Sequence, residues 1–471
     1  MLFPTFEFAA FFSVVFVLNW LLRPHPVPWR LMLLAASFVF YAAFEPAYCL
    51  LLAFSILANQ AFGVAIHRAV GEGARRGLLV AGVVVNLGLL GYFKYADFFV
   101  ESVTDVLGGF GIDTGWVSLE IVLPVAISFF TFQALSYVID IYRRDAEPSP
   151  LLDFAVYLSF FPHLVAGPIV RARELLPQIR ERADPRRVNS ALAFRLIMAG
   201  LFKKVVISSF VAAAIVDDVF AVPERYRSIE ILFAIYAYAI QIYADFSGYT
   251  DIAIGCALLL GLRFPQNFDA PYAALSIQAF WRKWHMTLSF WLRDYLYIPL
   301  GGNQGGERRR DLNLFLTMVI GGLWHGAAWT FVVWGAIHGV ALVAERRILA
   351  AREAAGKVPG TFSPVIRWAV TFHVVCLAWV FFRADSFGAA FTLLWRLVAA
   401  PGVGEAVTPM LVFVVVAMVA AQFVPSEAVD RVQVVFSRSA PIVQALALAI
   451  GLLLVDALGP EGVAPFIYFQ F

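Results

Sequence analysis

Charge is scarce in this chain: Asp, Glu, Lys and Arg make up 14% of its 471 residues, against about 25% in a soluble domain. That shortage, with 61% hydrophobic residues and a mean hydropathy of +0.79, excludes a soluble globular protein. Apolar runs recur from one end to the other, and each of roughly 20 residues can cross about 30 Å of hydrocarbon. They are apolar throughout and do not alternate, which excludes a β-barrel. Cysteine is scarce as well: Cys49, Cys256 and Cys376 lie far apart and form no CxxC. Neither a disulfide framework nor a zinc site is indicated, and no HExxH or HxxxH pattern offers metal ligands. The chain also lacks a GxSxG nucleophile elbow, a Walker loop and a basic-aromatic patch spaced for nucleic acid. The first apolar segment, 3–22, has no basic n-region or small-residue cleavage site, so it is read as a retained span.

What is present is a series of candidate membrane helices. The first five fall at about 5–22, 30–44, 47–66, 78–98 and 119–139. Arg23 and Arg30 lie between the first two, and His67, Arg68, Arg75 and Arg76 follow the third. Arg143 and Arg144 follow the fifth, while the links 44–46 and 97–120 contain no Lys or Arg. By the positive-inside rule the basic loops are cytoplasmic and the N-terminus is outside. The segment "FAVYLSFFPHLVAGPIV" at 154–170 is flanked by arginines on both sides and interrupted by Pro162, Gly167 and Pro168. A re-entrant pair returning to the cytoplasm fits it best, and broken backbone at membrane depth implies a cavity. Later spans fall near 229–247, 311–327, 329–346, 364–383, 408–424 and 439–458, the 311–346 pair forming a hairpin. Lys203 and Lys204 split one apolar stretch, either snorkelling or facing a pore. No internal repeat, soluble domain or long linker is visible.

Three stretches could carry chemistry. In "QAFWRKWHMTLSFWLRDYLYIPLGGNQGGERRR" (278–310), Trp281, Trp284, Leu288, Trp291 and Tyr295 form one stripe at helical spacing. This predicts a helix in the membrane interface with His285 beside the stripe, ending near Pro299. An ordinary interfacial histidine is the alternative for His285. In "IYADFSGYTDIAIG" (242–255), Asp245 and Asp251 fall within or at the end of a span, with Ser247, Tyr249 and Thr250 between. Intramembrane carboxylates are functional candidates, and the alternative is a structural pair with Arg263 or Lys204. In "MVIGGLWHGAAWTFVVWGAIHG" (318–339), two of seven histidines sit in an apolar run. A neutral imidazole there can act as a general base near pH 7. His338 lies 13 residues after His325, about 220° around an ideal helix, so the two are not expected to share a face. His338 is read as structural.

These blocks, with "FFPHLVAGPIVR", "NFDAPY" and the terminal "APFIYFQF", together resemble the membrane-bound O-acyltransferase (MBOAT) family, in its alginate O-acetylase-like branch. The resemblance implies a helical bundle of about 11–13 membrane segments with re-entrant helices and a central tunnel. It treats 1–471 as a single domain, with N-terminal spans in 1–150, a catalytic core in 151–345 and C-terminal spans in 346–471. It implies transfer of an acyl group from a thioester donor to a hydroxyl acceptor. In that branch the group enters from the cytoplasm and leaves outside, usually onto an extracytoplasmic acetyltransferase or glycan. The family's essential histidine falls on His325 and its second motif histidine on His285. Trp324, Asp245, Ser247, Tyr249, Trp284, Asn303 and His163, all inside the matching blocks, are candidates to line the tunnel. Gln304 departs from the pattern, since relatives often carry a basic residue there. No permanently bound cofactor and no metal are expected; acetyl-CoA or an acyl carrier thioester serves as donor.

The expected protein is therefore an acetyltransferase of the cell (inner) membrane acting in exopolysaccharide or cell-surface O-acetylation, with His325 as base and His285 assisting orientation or oxyanion stabilisation. Within the family the alternatives are D-alanyl transfer to teichoic acid, or acylation of a lipid or small metabolite. From a different class, Asp245, Asp251 and His325 could form the relay of a proton-coupled transporter, although no inverted repeat is seen.

Overall fold

The computed structural model describes residues 1–165, 167–356, 363–459 and 466–467. Of the terminal block at 464–471, all but Phe466 and Ile467 lie outside the described residues. Every regular element among the described residues is helical. A helix satisfies its backbone hydrogen bonds internally, which a lipid environment requires. Two compact units divide the chain: residues 1–189 with 256–265, and residues 190–255 with 266–471.

The first unit contains α1 (Phe6–Leu22), α2 (Pro26–Ala42), α3 (Tyr48–Arg68), α4 (Glu72–Gly109), α5 (Ile127–Arg143), α6 (Leu151–Ser159), α7 (Phe161–Leu164) and α8 (Ala172–Arg180). The Thr5 hydroxyl caps α1 by accepting from Phe8 N at 3.3 Å. The span predicted at 78–98 is one 38-residue helix, α4, relaxed by a π-helical turn at Gly91–Tyr95. The span predicted at 119–139 starts later, at Ile127. Residues 118–121 are instead held in an irregular turn by the Asp97 carboxylate, which accepts from Leu119 N (2.6 Å) and Ile121 N (3.0 Å).

The expected break at 154–170 is present. α6 has nine residues and α7 four, roughly 14 Å and 6 Å of helix, far short of a bilayer. Asp153 near the start of α6 pairs with Arg180 at the end of α8 and with Arg30, each at 3.1 Å. The chain that enters at α6 thus returns to the same carboxylate. Gly167 sits where a Cβ would come within 2.8 Å of the Pro162 carbonyl, so only glycine makes this tight return.

The second unit contains α9 (Ser190–Ala221), α10 (Ser228–Leu259, whose last turn belongs to the first unit), α11 (Ile277–Trp281), α12 (Met286–Leu292), α13 (Glu307–His325), α14 (Trp329–Ala354), α15 (Pro364–Arg383), α16 (Phe387–Ala399), α17 (Pro409–Ala421), α18 (Ser426–Arg438) and α19 (Pro441–Leu458). α15 and α17 start on Ser363 and Thr408 caps followed by proline. α10 runs twelve residues beyond the predicted 247, placing Asp251 inside the helix. Four helices, α8, α9, α16 and α18, are not among the predicted segments. α18 has a polar and an apolar face and turns 94° from α17, so a search for uniformly apolar runs passes over it.

The single interfacial helix predicted from 278 to near Pro299 is replaced by α11, a break at 282–285, α12 and a π-helical turn at Arg293–Tyr297. The aromatic stripe of Trp281, Trp284, Leu288, Trp291 and Tyr295 is buried in protein and not at an interface. Among the described residues, six helices are long and apolar enough to cross a membrane, seven with the bent α17–α18 pair. This is below the expected 11–13, because α1, α2 and α16 are short and α13 and α14 carry too many polar residues near their ends.

The glycines of the 318–339 stretch are explained by packing. A Cβ on Gly335 would lie 2.9 Å from Val319 Cα, and one on Gly339 would lie 3.1 Å from Phe315 Cα. Small residues let α13 and α14 meet backbone to backbone as the predicted hairpin. The same device joins α9 to α10, where a Cβ on Gly248 would lie 2.8 Å from the Gly200 carbonyl.

Candidate active site

His325 is the last residue of α13, at the break before α14. It is 3% exposed and enclosed by three ring edges. Trp324 stands at 5.0 Å between centroids, Trp334 at 4.9 Å and Phe382 at 5.3 Å. Gly326 continues in extended conformation, and a Cβ there would collide with the Phe331 ring. The wall extends through Trp379, which stacks on Trp334 (5.9 Å) and meets Trp284 (5.0 Å). Aromatic surroundings of this kind exclude water, a setting that suppresses hydrolysis of a reactive acyl group.

His285 occupies the break between α11 and α12, with φ 41° and ψ 55°. Left-handed backbone is uncommon outside glycine, though histidine tolerates it better than bulky residues. The ring is fully buried against Phe246 (4.7 Å) and Phe268 (6.4 Å), and Trp324 lies 6.2 Å away. Trp324 therefore borders both histidines. His285 lies outside the spanning helices, and burial pushes its imidazole down to about 3, so the ring is neutral at pH 7. Its Nδ1 lies 3.1 Å from Asn267 Oδ1.

The expectation that His325 and His338 occupy different faces does not hold. The turn after His325 folds the second run back, and His338 meets the same Trp334 ring at 4.9 Å. The structural reading of His338 is supported by its bonding: Nδ1 accepts from Trp281 Nε1 at 3.3 Å.

The acidic block is ionically paired. Lys204 binds Asp245, with both side chains buried, and Lys203 binds Asp251 at 2.6 Å and Ser247 Oγ at 2.9 Å. A π-helical turn over Phe202–Ser208 carries the two adjacent lysines. Neither lysine is free to line an aqueous pore. Asp245 also accepts from Ile467 N at 3.0 Å and Ser208 Oγ at 3.4 Å. Tyr249 lies under the Lys204 ammonium at 5.3 Å and packs on Phe466 at 4.6 Å. Phe466 in turn touches Phe246, the ring beside His285.

The two remaining candidates have other surroundings. Asn303 is exposed in the glycine loop, accepting from Tyr297 OH at 2.8 Å. His163 belongs to the first unit, buried among Tyr157, Phe160 and Phe264. Asn267, Phe246, Trp334, Trp379 and Phe382 were not singled out from sequence. Asn267 lies in irregular chain, where no periodicity marks a residue as buried, although the "NFDAPY" block containing it was noticed.

Comparison with known proteins decides the class. The family model described as MBOAT, membrane-bound O-acyltransferase family, matches residues 116–384. The chain belongs to this family. Its matched region includes both site histidines and the whole ring wall around them. A probable alginate O-acetylase of Pseudomonas aeruginosa is 43% identical over 370 residues, covering 78% of this chain and 68% of the relative. A peptidoglycan O-acetyltransferase of Helicobacter pylori is 38% identical over 430 residues, covering 85% and 80%. A teichoic acid D-alanyltransferase of Bacillus subtilis is 26% identical over 277 residues, covering 56% and 69%. The protein is thus a multi-pass membrane O-acyltransferase of the alginate O-acetylase-like type.

Proposed function

We propose that this MBOAT protein moves an acetyl group from a cytoplasmic thioester, acetyl-CoA or an acyl carrier, across the inner membrane to a hydroxyl acceptor. The acceptor is a cell-surface or exopolysaccharide sugar, reached directly or through an extracytoplasmic acetyltransferase. The N-terminus lies outside, following the basic-loop pattern. The observation that carries this reading is His325, buried among aromatic rings where α13 breaks, within a family whose relatives include acetylating enzymes.

In the proposed step His325 takes the proton from the acceptor hydroxyl as its oxygen attacks the thioester carbonyl carbon. The tetrahedral adduct collapses with cleavage of the C–S bond, and the imidazolium returns the proton to the departing thiolate. An O-acetyl ester and a thiol result. Holding the two reactants in one dry pocket supplies much of the rate.

The ion pairs favour acetyl over D-alanyl transfer. A D-alanyl group would bring an ammonium ion into the site, and Asp245 and Asp251 are already engaged by lysines. The same engagement removes both carboxylates from a proton-relay transporter.

Mass spectrometry of surface glycans from cells with and without the gene tests the function. Loss of acetyl esters from a glycan, restored by the wild-type gene and not by an inactive variant, is expected. An unchanged acetylation pattern across all surface glycans would refute the assignment.

A further inference from the structure

Asn267 is fully buried in the irregular segment between α10 and α11. Its side-chain oxygen lies 3.2 Å from Thr287 N, 2.9 Å from Thr287 Oγ1 and 3.1 Å from His285 Nδ1. Its main-chain carbonyl accepts from Met286 N at 2.9 Å. One residue therefore binds the three consecutive positions 285, 286 and 287. These bonds hold His285 in its left-handed conformation, the kind of strain that surrounding structure must over-determine.

The bonding also settles proton positions. A main-chain N–H can only donate, so the amide atom facing Thr287 N is the oxygen. An amide oxygen can only accept, so the His285 nitrogen facing it carries hydrogen. A neutral imidazole has one N–H, which leaves Nε2 with a lone pair. That atom is buried and has no hydrogen-bond partner among the described residues.

We propose that Asn267 is a positioning residue that locks His285 in the Nδ1–H tautomer, making Nε2 an acceptor-only seat for the hydroxyl-bearing substrate. A lone pair at Nε2 receives a substrate O–H and repels a carbonyl oxygen or oxyanion. His285 thus orders the acceptor, and the oxyanion of the tetrahedral adduct is stabilised by other groups. The proposal rests on the acyl-transfer reading of this pocket.

The test combines a spectroscopic and a kinetic readout. Histidine-selective 15N solid-state NMR is recorded on the full chain in lipid, with His285 assigned by difference from His285→Gln. The native ring is expected in the neutral Nδ1–H form. Asn267→Asp keeps an acceptor at this place and is expected to retain both that form and turnover within about fivefold. Asn267→Leu is expected to release the tautomer and to lower kcat/KM for the hydroxyl acceptor roughly 10- to 100-fold, the range seen when the orienting partner of a metal-bound histidine is removed. The KM for the acetyl donor should stay within about twofold. An Nε2–H signal in the native protein overturns the proposal whatever the activity. So does an acceptor kcat/KM that is unchanged in Asn267→Leu. A native Nδ1–H signal in protein that forms no ester is instead the failure of the acyl-transfer reading, and the acceptor seat falls with it.

Discussion

Replacing His325 with alanine is expected to lower acetyl-ester formation by two to four orders of magnitude, the usual contribution of a positioned general base. This corresponds to about 3 to 5 kcal/mol of barrier. The ring stands at the helix break with Trp324, Trp334 and Phe382 about it, and no GxSxG nucleophile offers a covalent route. A hydroxyl acceptor without a base must attack while still protonated. Donor binding does not require the imidazole, so the loss should appear in kcat with donor KM little changed. His325→Gln preserves most of the side-chain volume and is expected to be as inactive while folding normally. The check is rapid-mix turnover of acetyl-CoA by protein reconstituted in lipid, with thermal unfolding of each variant measured in parallel. A well-folded His325→Ala that turns over at the native rate would remove the base assignment.

The second large effect is on stability. Lys204→Leu alone is expected to cost about 3–5 kcal/mol, because it strands the Asp245 carboxylate at a buried position. Asp245→Leu alone should cost as much by stranding the ammonium. The double substitution removes both charges and is expected to recover much of the loss, since apolar replacements of buried pairs are often neutral. Recovery stays incomplete because Ile467 N and Ser208 Oγ lose an acceptor, at about 1–3 kcal/mol for a buried group left unbonded. Thermal unfolding in one detergent for all four proteins reads the cycle. A double variant no more stable than either single would show that the pair does not act as a unit.

Much of this architecture was legible because lipid restricts the possibilities so strongly. Apolar run length alone located α1 to α3, α15, α17 and α19 to within a few residues. Prolines and a glycine marked the broken helices at α6 and α7, since no smooth helix passes them. What failed were the places where tertiary contacts override local pattern. Asp97 holds 119–121 out of the helix expected to begin at 119. The stripe from Trp281 to Tyr295 looked interfacial because aromatic and basic residues alternate there. In the structure Trp379 and Trp334 cover the Trp281 and Trp284 rings, and backbone strain at His285 breaks the helix.

In the site, His325 and His285 were found by chemistry, since a histidine in apolar surroundings stands out. Asp245 stood out for the same reason, yet its partner could not be chosen between Arg263 and Lys204. The Gly200–Gly248 approach that sets Lys204 beside it depends on two segments about 50 residues apart. Angles on one ideal helix misplace His338, because the run is two helices joined by a turn at Gly326. Asn267 has no periodic neighbours at all, and only three-dimensional bonding to residues 285–287 reveals it.

The central claim is passage of an acetyl group from a thioester on one face of the membrane to a hydroxyl on the other. It is tested most directly in sealed proteoliposomes with labelled acetyl-CoA outside, which does not cross lipid, and an impermeant sugar acceptor trapped inside. Where an extracytoplasmic partner is needed, it is trapped with the acceptor. Labelled acetyl ester is expected in the lumen with the native protein and not with His325→Ala. Label found solely on acceptor supplied outside, with none on the trapped sugar, would contradict transfer across the membrane.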